Sequence, residues 1–212
     1  MNTIIEQVLH GDLSMDDFLR MLQHDCCLQK YISRIIPDAA KSNPDHTFWR
    51  IVPFDTLKRN NFDYYKFLFW GNNSSNKFGT NLTLYNRLSK AYRFYYPETP
   101  CTNKYQEEFD IYLDVIKDCY DGPEVRSIVE GIISELLQFR TKSQRVKQGN
   151  ALISERFHLG QGKRPRWIQG PEWPMGKNSP MMFIRQQRDG ENVIYEFCDV
   201  DTKETRVVRQ YY

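Results

Sequence analysis

The chain lacks most of what would mark a familiar chemistry. No apolar run approaches the roughly 18 residues of a membrane-spanning helix, so no membrane partner is expected. Net charge is only +2, which argues against a dedicated nucleic-acid binder. The N-terminus is neither basic nor followed by an apolar core, so it does not read as a signal peptide. Five cysteines, at 26, 27, 101, 119 and 198, are an odd number and do not read as a disulfide framework. Cys26 and Cys27 are adjacent, which is the wrong spacing for a zinc knuckle. The sequons at Asn72, Asn73 and Asn81 carry no weight without export. A cytosolic protein with reduced thiols is the expectation.

Reaction centres are equally scarce. His10, His24, His46 and His158 are scattered, and none sits at metal-ligand spacing from another. Asp16-Asp17 and Glu107-Glu108 read as solvated helix faces. Gly160-Gln161-Gly162 before Lys163 has neither the strand nor the helix that would frame a phosphate loop. There is no dinucleotide fingerprint, so no cofactor, metal site or catalytic residue is expected. Cys119, on the edge of an apolar helix, and Cys198, in an alternating strand, read as core residues rather than nucleophiles.

Aromatics are what the chain has in excess, with 13 Tyr, 13 Phe and 4 Trp. Tyr suits half-buried surfaces, so the excess leans toward a binding protein. The periodicity divides the chain into a helical region, 1–145, and a C-terminal region, 146–212, with a boundary near 145–160. Ser14 with Asp17 resembles a capping box before Phe18, Leu19 and Leu22. Asp25 can cap a second helix with Leu28, Ile32, Ile35 and Ile36 on one face, stopped by Pro37. Residues 71–79 read as a polar loop, and Leu82, Tyr85, Leu88 and Tyr92 as a helix face. Tyr105, Phe109, Tyr112, Leu113 and Ile116 mark the next helix. Pro123 then suits a first helical position before the stripe from Val125 to Leu137, expected to be the most buried element of the helical region.

From 140 to 166 there are eight Lys or Arg against one acid, Glu155, in a segment helical by propensity until Gly149. With Trp167, Trp173 and Phe157 this could serve single-stranded nucleic acid, but a solvated basic face is the stronger reading. The tail is β: a strand from 181, an Asp189-Gly190 hairpin signal, the alternation Val193, Tyr195, Phe197, and a third strand to 211. Trp167 and Ile168 are a candidate for a further strand. The fold class is therefore α+β, a helical N-terminal half packed with a small C-terminal antiparallel β-meander.

Between basic segment and sheet, Pro165, Pro171, Pro174 and Pro180 each fix φ and lack an amide donor. Trp167 and Trp173 are large enough to pin those bends, so both indoles read as structural. The order Phe157-His158, Arg164-Pro165-Arg166-Trp167-Ile168-Gln169, Glu172-Trp173-Pro174, Pro180-Met181 and Phe183, then Gln186 or Gln187, resembles the C-terminal signature of small bacterial cytosolic proteins. Some of these are immunity proteins of polymorphic or contact-dependent toxin systems. More loosely, the region is similar to YwqG-like proteins. The likeness covers about residues 157–212 and makes Trp167, Gln169, Glu172, Trp173 and Pro174 a structural motif. It implies a non-catalytic protein that binds and neutralises a cognate toxin domain, the alternatives being a nucleic-acid-associated accessory protein using residues 140–166 or an enzyme with a cleft between the helical half and the sheet. For that partner the helical half offers Tyr64, Tyr65 and Trp70, in an aromatic stretch with more large side chains than one helix face can bury.

Overall fold

Apolar spacing and side-chain caps set the helices of the first part of the chain. The computed structural model describes residues 2–42, 77–117, 120, 122, 124–159 and 164–212. Two compact units divide it, Met1–Gln106 and Glu107–Tyr212. The composition shift at 145–160 lies inside the second unit. Among the described residues no helix is long and apolar enough to cross a membrane.

The first unit holds α1 (Asn2–His10), α2 (Met15–His24), α3 (Cys26–Ser42) and α4 (Lys77–Tyr95). Ser14 caps α2 by accepting from the Asp17 amide at 3.1 Å. The Asp17 carboxylate in turn accepts from the Ser14 hydroxyl at 2.5 Å, rather than from the backbone N–H of a standard capping box. Asp25 Oδ1 caps α3 through the amides of Cys27 and Leu28, at 2.8 and 2.9 Å. Ile5, Leu9, Phe18, Leu22, Ile32 and Leu88 are among the side chains these helices bury against one another. The end of α1 is tied down as well: Thr102 N donates to the Leu9 carbonyl at 2.7 Å, and the Tyr85 hydroxyl lies 3.0 Å from the same oxygen.

Two expectations fail in this unit. Helix α3 does not stop at Pro37 but runs to Ser42, because a proline removes one intrahelical hydrogen bond without forbidding the turns on either side. Residues 77–79, expected in a polar loop, open α4 instead, where Phe78 is buried and carries the apolar face a turn further back.

In the second unit, α5 (Lys104–Ile111) begins at the end of the first unit and widens into a π-helical turn at Tyr112–Ile116. Lys117 N donates to the Tyr112 carbonyl at 2.9 Å, five residues back. Each residue of such a turn advances less than in an α-helix. Ile111, Tyr112 and Ile116 therefore face inward together, and Leu113, expected on that face, is 42% exposed.

Helix α6 (Arg126–Leu136) starts after Val125 and buries Val129, Ile132, Ile133 and Leu136, while Pro123 lies outside the described residues. It belongs to the second unit with the sheet, not to the helical region it was expected to anchor. Helix α7 (Lys142–Arg156) does not end at Gly149; Thr141 and Gln144 form its capping box and Ile153 and Phe157 anchor its far end. Gly149 is where α7 meets the π turn, since a Cβ there would lie 2.5 Å from Val115 Cγ1 and 3.1 Å from Leu136 Cδ1.

Strands β1 (Met182–Asp189), β2 (Asn192–Cys198) and β3 (Thr205–Tyr211) form an antiparallel sheet in the order β1-β2-β3. Gly190 at φ 61° closes the first hairpin, as the Asp-Gly signal requires. Val193, Tyr195 and Phe197 are buried on one face. Trp167 and Ile168 form no strand. Residues 164–180 are irregular apart from one bridge between Met175 and Pro180, because the prolines remove the donors a ladder needs.

Gly149→Ala should test the close approach of α7. Helix propensity alone would favour alanine by about 1 kcal/mol. Overpacking against Val115 should reverse that sign and cost about 1–3 kcal/mol in denaturant unfolding. Adding Val115→Ala should recover part of the loss.

Candidate functional site: the Trp–Pro segment and its cleft

Segment 164–180 lies on the inner face of the sheet. Trp173 is 1% exposed, with ring centroids 4.9 Å from Phe157, 5.6 Å from Tyr120 and 5.5 Å from Phe197. Its indole N–H donates to the Met181 carbonyl at 2.8 Å, so the polar edge of the ring is satisfied in the core. Trp167 is half-buried, 4.5 Å from Tyr195 and 6.0 Å from Phe197. Pro165, Pro174 and Pro180 are buried around them.

The peptide groups of this segment find partners in two sheet side chains. Gln210, fully buried on β3, accepts from the amides of Ile168 and Gln169, each at 3.1 Å. Its Nε2 donates to the Gly170 carbonyl at 2.7 Å and to Glu172 Oε1 at 3.2 Å. The Tyr195 hydroxyl donates to the Arg166 carbonyl at 2.8 Å and accepts from Ile168 N at 3.1 Å. Burial pushes the Tyr195 phenol above its ordinary value, which keeps that donor in place. Gln169 is exposed but donates to the Tyr211 carbonyl at 2.7 Å.

Beside the segment is an open cleft of about 480 Å³, lined by Met175, Lys177, Met181, Asp199, Glu204 and Arg206 among others. Asp199 is buried and accepts from the amides of Lys177 at 2.7 Å and Asp201 at 2.9 Å. Those bonds, Lys177 first, hold its carboxyl below the usual carboxylate range. A Cβ on Gly176 would sit 2.7 Å from that carboxylate, so the backbone can approach only without a side chain. At the rim, Glu124 accepts from Met175 N at 2.9 Å and pairs with both Nη atoms of Arg206 at 3.1 Å. The Met175 amide, then Arg206, depress the Glu124 pKa.

One contact has catalytic residue types. His158, at φ 52°, places Nε2 2.9 Å from Ser179 Oγ. A nucleophilic serine also needs an oxyanion donor, commonly the next amide, and here the next residue is Pro180. The contact ties the end of α7 to the 176–179 turn. Among the described residues no group of three or more His, Cys, Asp or Glu is arranged to hold a metal ion. Cys198 is half-buried, while Cys26, Cys27 and Cys101 are exposed.

Three of the eight cations of the basic segment are answered by acids from elsewhere in its own unit. Lys142 pairs with Asp114 at 2.7 Å, Arg145 with Glu107 at 3.3 Å, and Arg156 with Glu135. Arg164 donates to Asn150 at 3.1 Å and lies 5.8 Å from the centroid of the Tyr120 ring.

Of the sequence candidates, Trp167, Gln169, Glu172, Trp173 and Pro174 come together here, whereas Tyr64, Tyr65 and Trp70 lie outside the described residues. Sequence reasoning missed Gln210, Asp199, Glu124 and Tyr120. A single polar residue in an alternating strand or turn carries no local mark of a partner about 40 positions away, as with Gln210 and Gly170. Comparison with family models, characterised proteins and solved structures finds no match to this chain.

Removing the Trp173 indole should cost about 3–5 kcal/mol, as a large-to-small core change. An unchanged melting temperature for Trp173→Ala would contradict its burial among four aromatic rings.

The depressed carboxyls fix the direction of a pH effect. A carboxyl whose folded pKa lies below its unfolded value, about 3.9 for Asp, stabilises the fold above that value. The contribution is lost as pH falls through the folded pKa. Unfolding free energy should therefore decline below about pH 4, and Asp199→Asn should flatten that acid limb while lowering stability at neutral pH. An unaltered acid slope in urea titrations of the variant would remove Asp199 from this role.

Proposed function

We propose that this chain is an immunity-type protein, a non-catalytic binder that neutralises a cognate toxin domain in the cytoplasm of the producing cell. The resemblance of the 157–212 region supports it, and so does the use of that region's Trp–Pro motif as core rather than as a reaction centre. The observation that carries the reading lies in the first unit. Phe94, Tyr95 and Tyr96, at the end of α4, are 51%, 41% and 41% exposed. Phe94 meets Tyr95 edge-on at 5.0 Å, and Tyr96 packs on buried Tyr92 at 4.7 Å. Exposed aromatics already held in place lose little conformational entropy on binding, which is the character of interface hot spots.

Nucleic-acid binding through the basic segment is less favoured. Three of its eight cations are paired with acids in the structure, which lowers the positive field offered to phosphates.

Co-expression with the toxin domain encoded beside it tests the reading. The wild-type chain should protect cells. Phe94→Ala and Tyr96→Ala, together with Tyr65→Ala and Trp70→Ala in the sequence-derived stretch, should weaken protection by tenfold or more, about 1.4 kcal/mol or above for a hot spot. Absence of protection by the wild-type chain would defeat the proposal. Full protection by all four folded variants would remove these surfaces from it.

A further inference from the structure

We infer that the outer edge of β3 is a docking site for an extended, acidic strand of a partner protein, added to the sheet as a fourth strand. The proposal does not depend on that partner being a toxin.

The direction of the peptide groups carries it. Tyr212 N donates to the Glu191 carbonyl at 3.0 Å, and Asp199 N to the Glu204 carbonyl at 2.9 Å. In an antiparallel pair these groups alternate sides, so positions 204, 206, 208, 210 and 212 turn their peptide groups into β2. Thr205, Val207, Arg209 and Tyr211 must turn theirs away from it. β3 is the last strand of the sheet, so no further strand meets them among the described residues. The Tyr211 carbonyl is taken by Gln169 Nε2 at 2.7 Å, a side-chain amide standing where a strand's N–H would be. No described residue caps the other outward groups, from Thr205 to the Tyr211 N–H.

Exposed edges of this kind are normally blunted by bulges, prolines or covering segments. Strand β1, at the opposite edge, has such a device, a register break between Phe183 and Arg185. Strand β3 pairs with β2 in unbroken register over seven residues and contains no proline. The edge keeps an unbroken register, and no strand of the described residues covers it.

Side chains at the same four positions set the occupant's chemistry. Thr205, Val207, Arg209 and Tyr211 are all exposed, Val207 by 43% and Tyr211 by 57%. Arg209 forms no hydrogen bond or ion pair with any described residue, whereas Arg185 on the outer face is held by Glu196 at 2.8 Å. Residues directly opposite in a ladder interact pairwise, with opposite charges and aromatic or β-branched pairs favoured. The fitting strand therefore has an acid facing Arg209 and, two positions to either side, β-branched or aromatic residues facing Val207 and Tyr211. Main-chain bonds would give affinity and this alternate triad would give selection.

The probe is a blocked heptapeptide, Thr-Val-Thr-Glu-Thr-Val-Thr, with a control in which Lys replaces Glu, titrated into the isotope-labelled full chain. The Glu peptide should shift the amides of residues 205, 207, 209 and 211, with an affinity on the order of fivefold or more above that of the Lys peptide. Val207→Pro should abolish the shifts while keeping the fold, because the amide it removes points away from β2. Should that variant not fold, Arg209→Glu provides the alternative and should reverse the preference between the two peptides. No shift with the Glu peptide, equal affinity for both peptides, or a concentration-dependent dimer that occupies the β3 edge would each overturn the inference.

Discussion

The backbone of 164–180 cannot satisfy itself, and the second unit is built around that constraint. Proline at 165, 171, 174 and 180 removes four amide donors and fixes four φ angles. The segment can be neither helix nor inner strand, yet Trp173 draws it into the core. A buried peptide group without a partner costs about 1–3 kcal/mol, so the buried route is closed unless side chains answer it. Gln210 does so with both ends of its amide, and Tyr195 with both functions of its hydroxyl. An amide carries a donor and an acceptor at fixed separation, and the N–H and C=O groups of 168–170 demand both. Neither partner could be replaced by an apolar residue of similar size without stranding the loop. The inward face of a three-stranded sheet is thereby committed to holding one irregular strap.

Elements whose causes are local were legible in the residues. Ser14 and Asp25 cap the helices their spacing announces, and Val193, Tyr195 and Phe197 alternate into the core. Gly190 adopts the positive φ that its Asp-Gly pair predicts. Where competition between local rules decides, the reading failed. Pro37 weighs against a helix and the chain continues through it, while the π turn rotates Leu113 to solvent although its spacing matches an α-helical face. No periodicity reports a one-residue widening of a turn. Gly149 is a further case: it reads as a helix breaker, but its missing side chain is what lets α7 approach Val115 and Leu136.

Site residues were harder to read than elements, for a related reason. The Trp–Pro motif stood out because Trp and Pro are rare and clustered. Gln210 and Asp199 did not, because their meaning comes from what the fold brings to them. The basic segment shows the same limit from the other side. Eight cations against one acid form a patch on paper, but Glu107, Asp114 and Glu135 reach it from the elements before it. Local charge bookkeeping cannot see acids 21 to 38 positions away. Such exposed or half-exposed pairs are each worth about 0–1 kcal/mol, so their consequence is less stability than a weakened field for phosphates.

Commitment of one face of the sheet also shapes what its margin can do. A three-stranded sheet has two edges and only one strand with neighbours on both sides, here β2. The strap needs Gln210 inward, which by the strand's alternation sends residues 209 and 211 outward. Ladder bonds from the even positions of β3 to β2 then fix the peptide groups of the odd positions toward the edge. A slip of one residue would free neither edge nor face; it would pull Gln210 out of the core and place Arg209 there instead. The same register that satisfies the Trp–Pro segment therefore holds Val207, Arg209 and Tyr211 exposed beside an open ladder. Core and margin cannot be altered independently, so a partner reading the edge would also be reading, indirectly, whether the strap is in place.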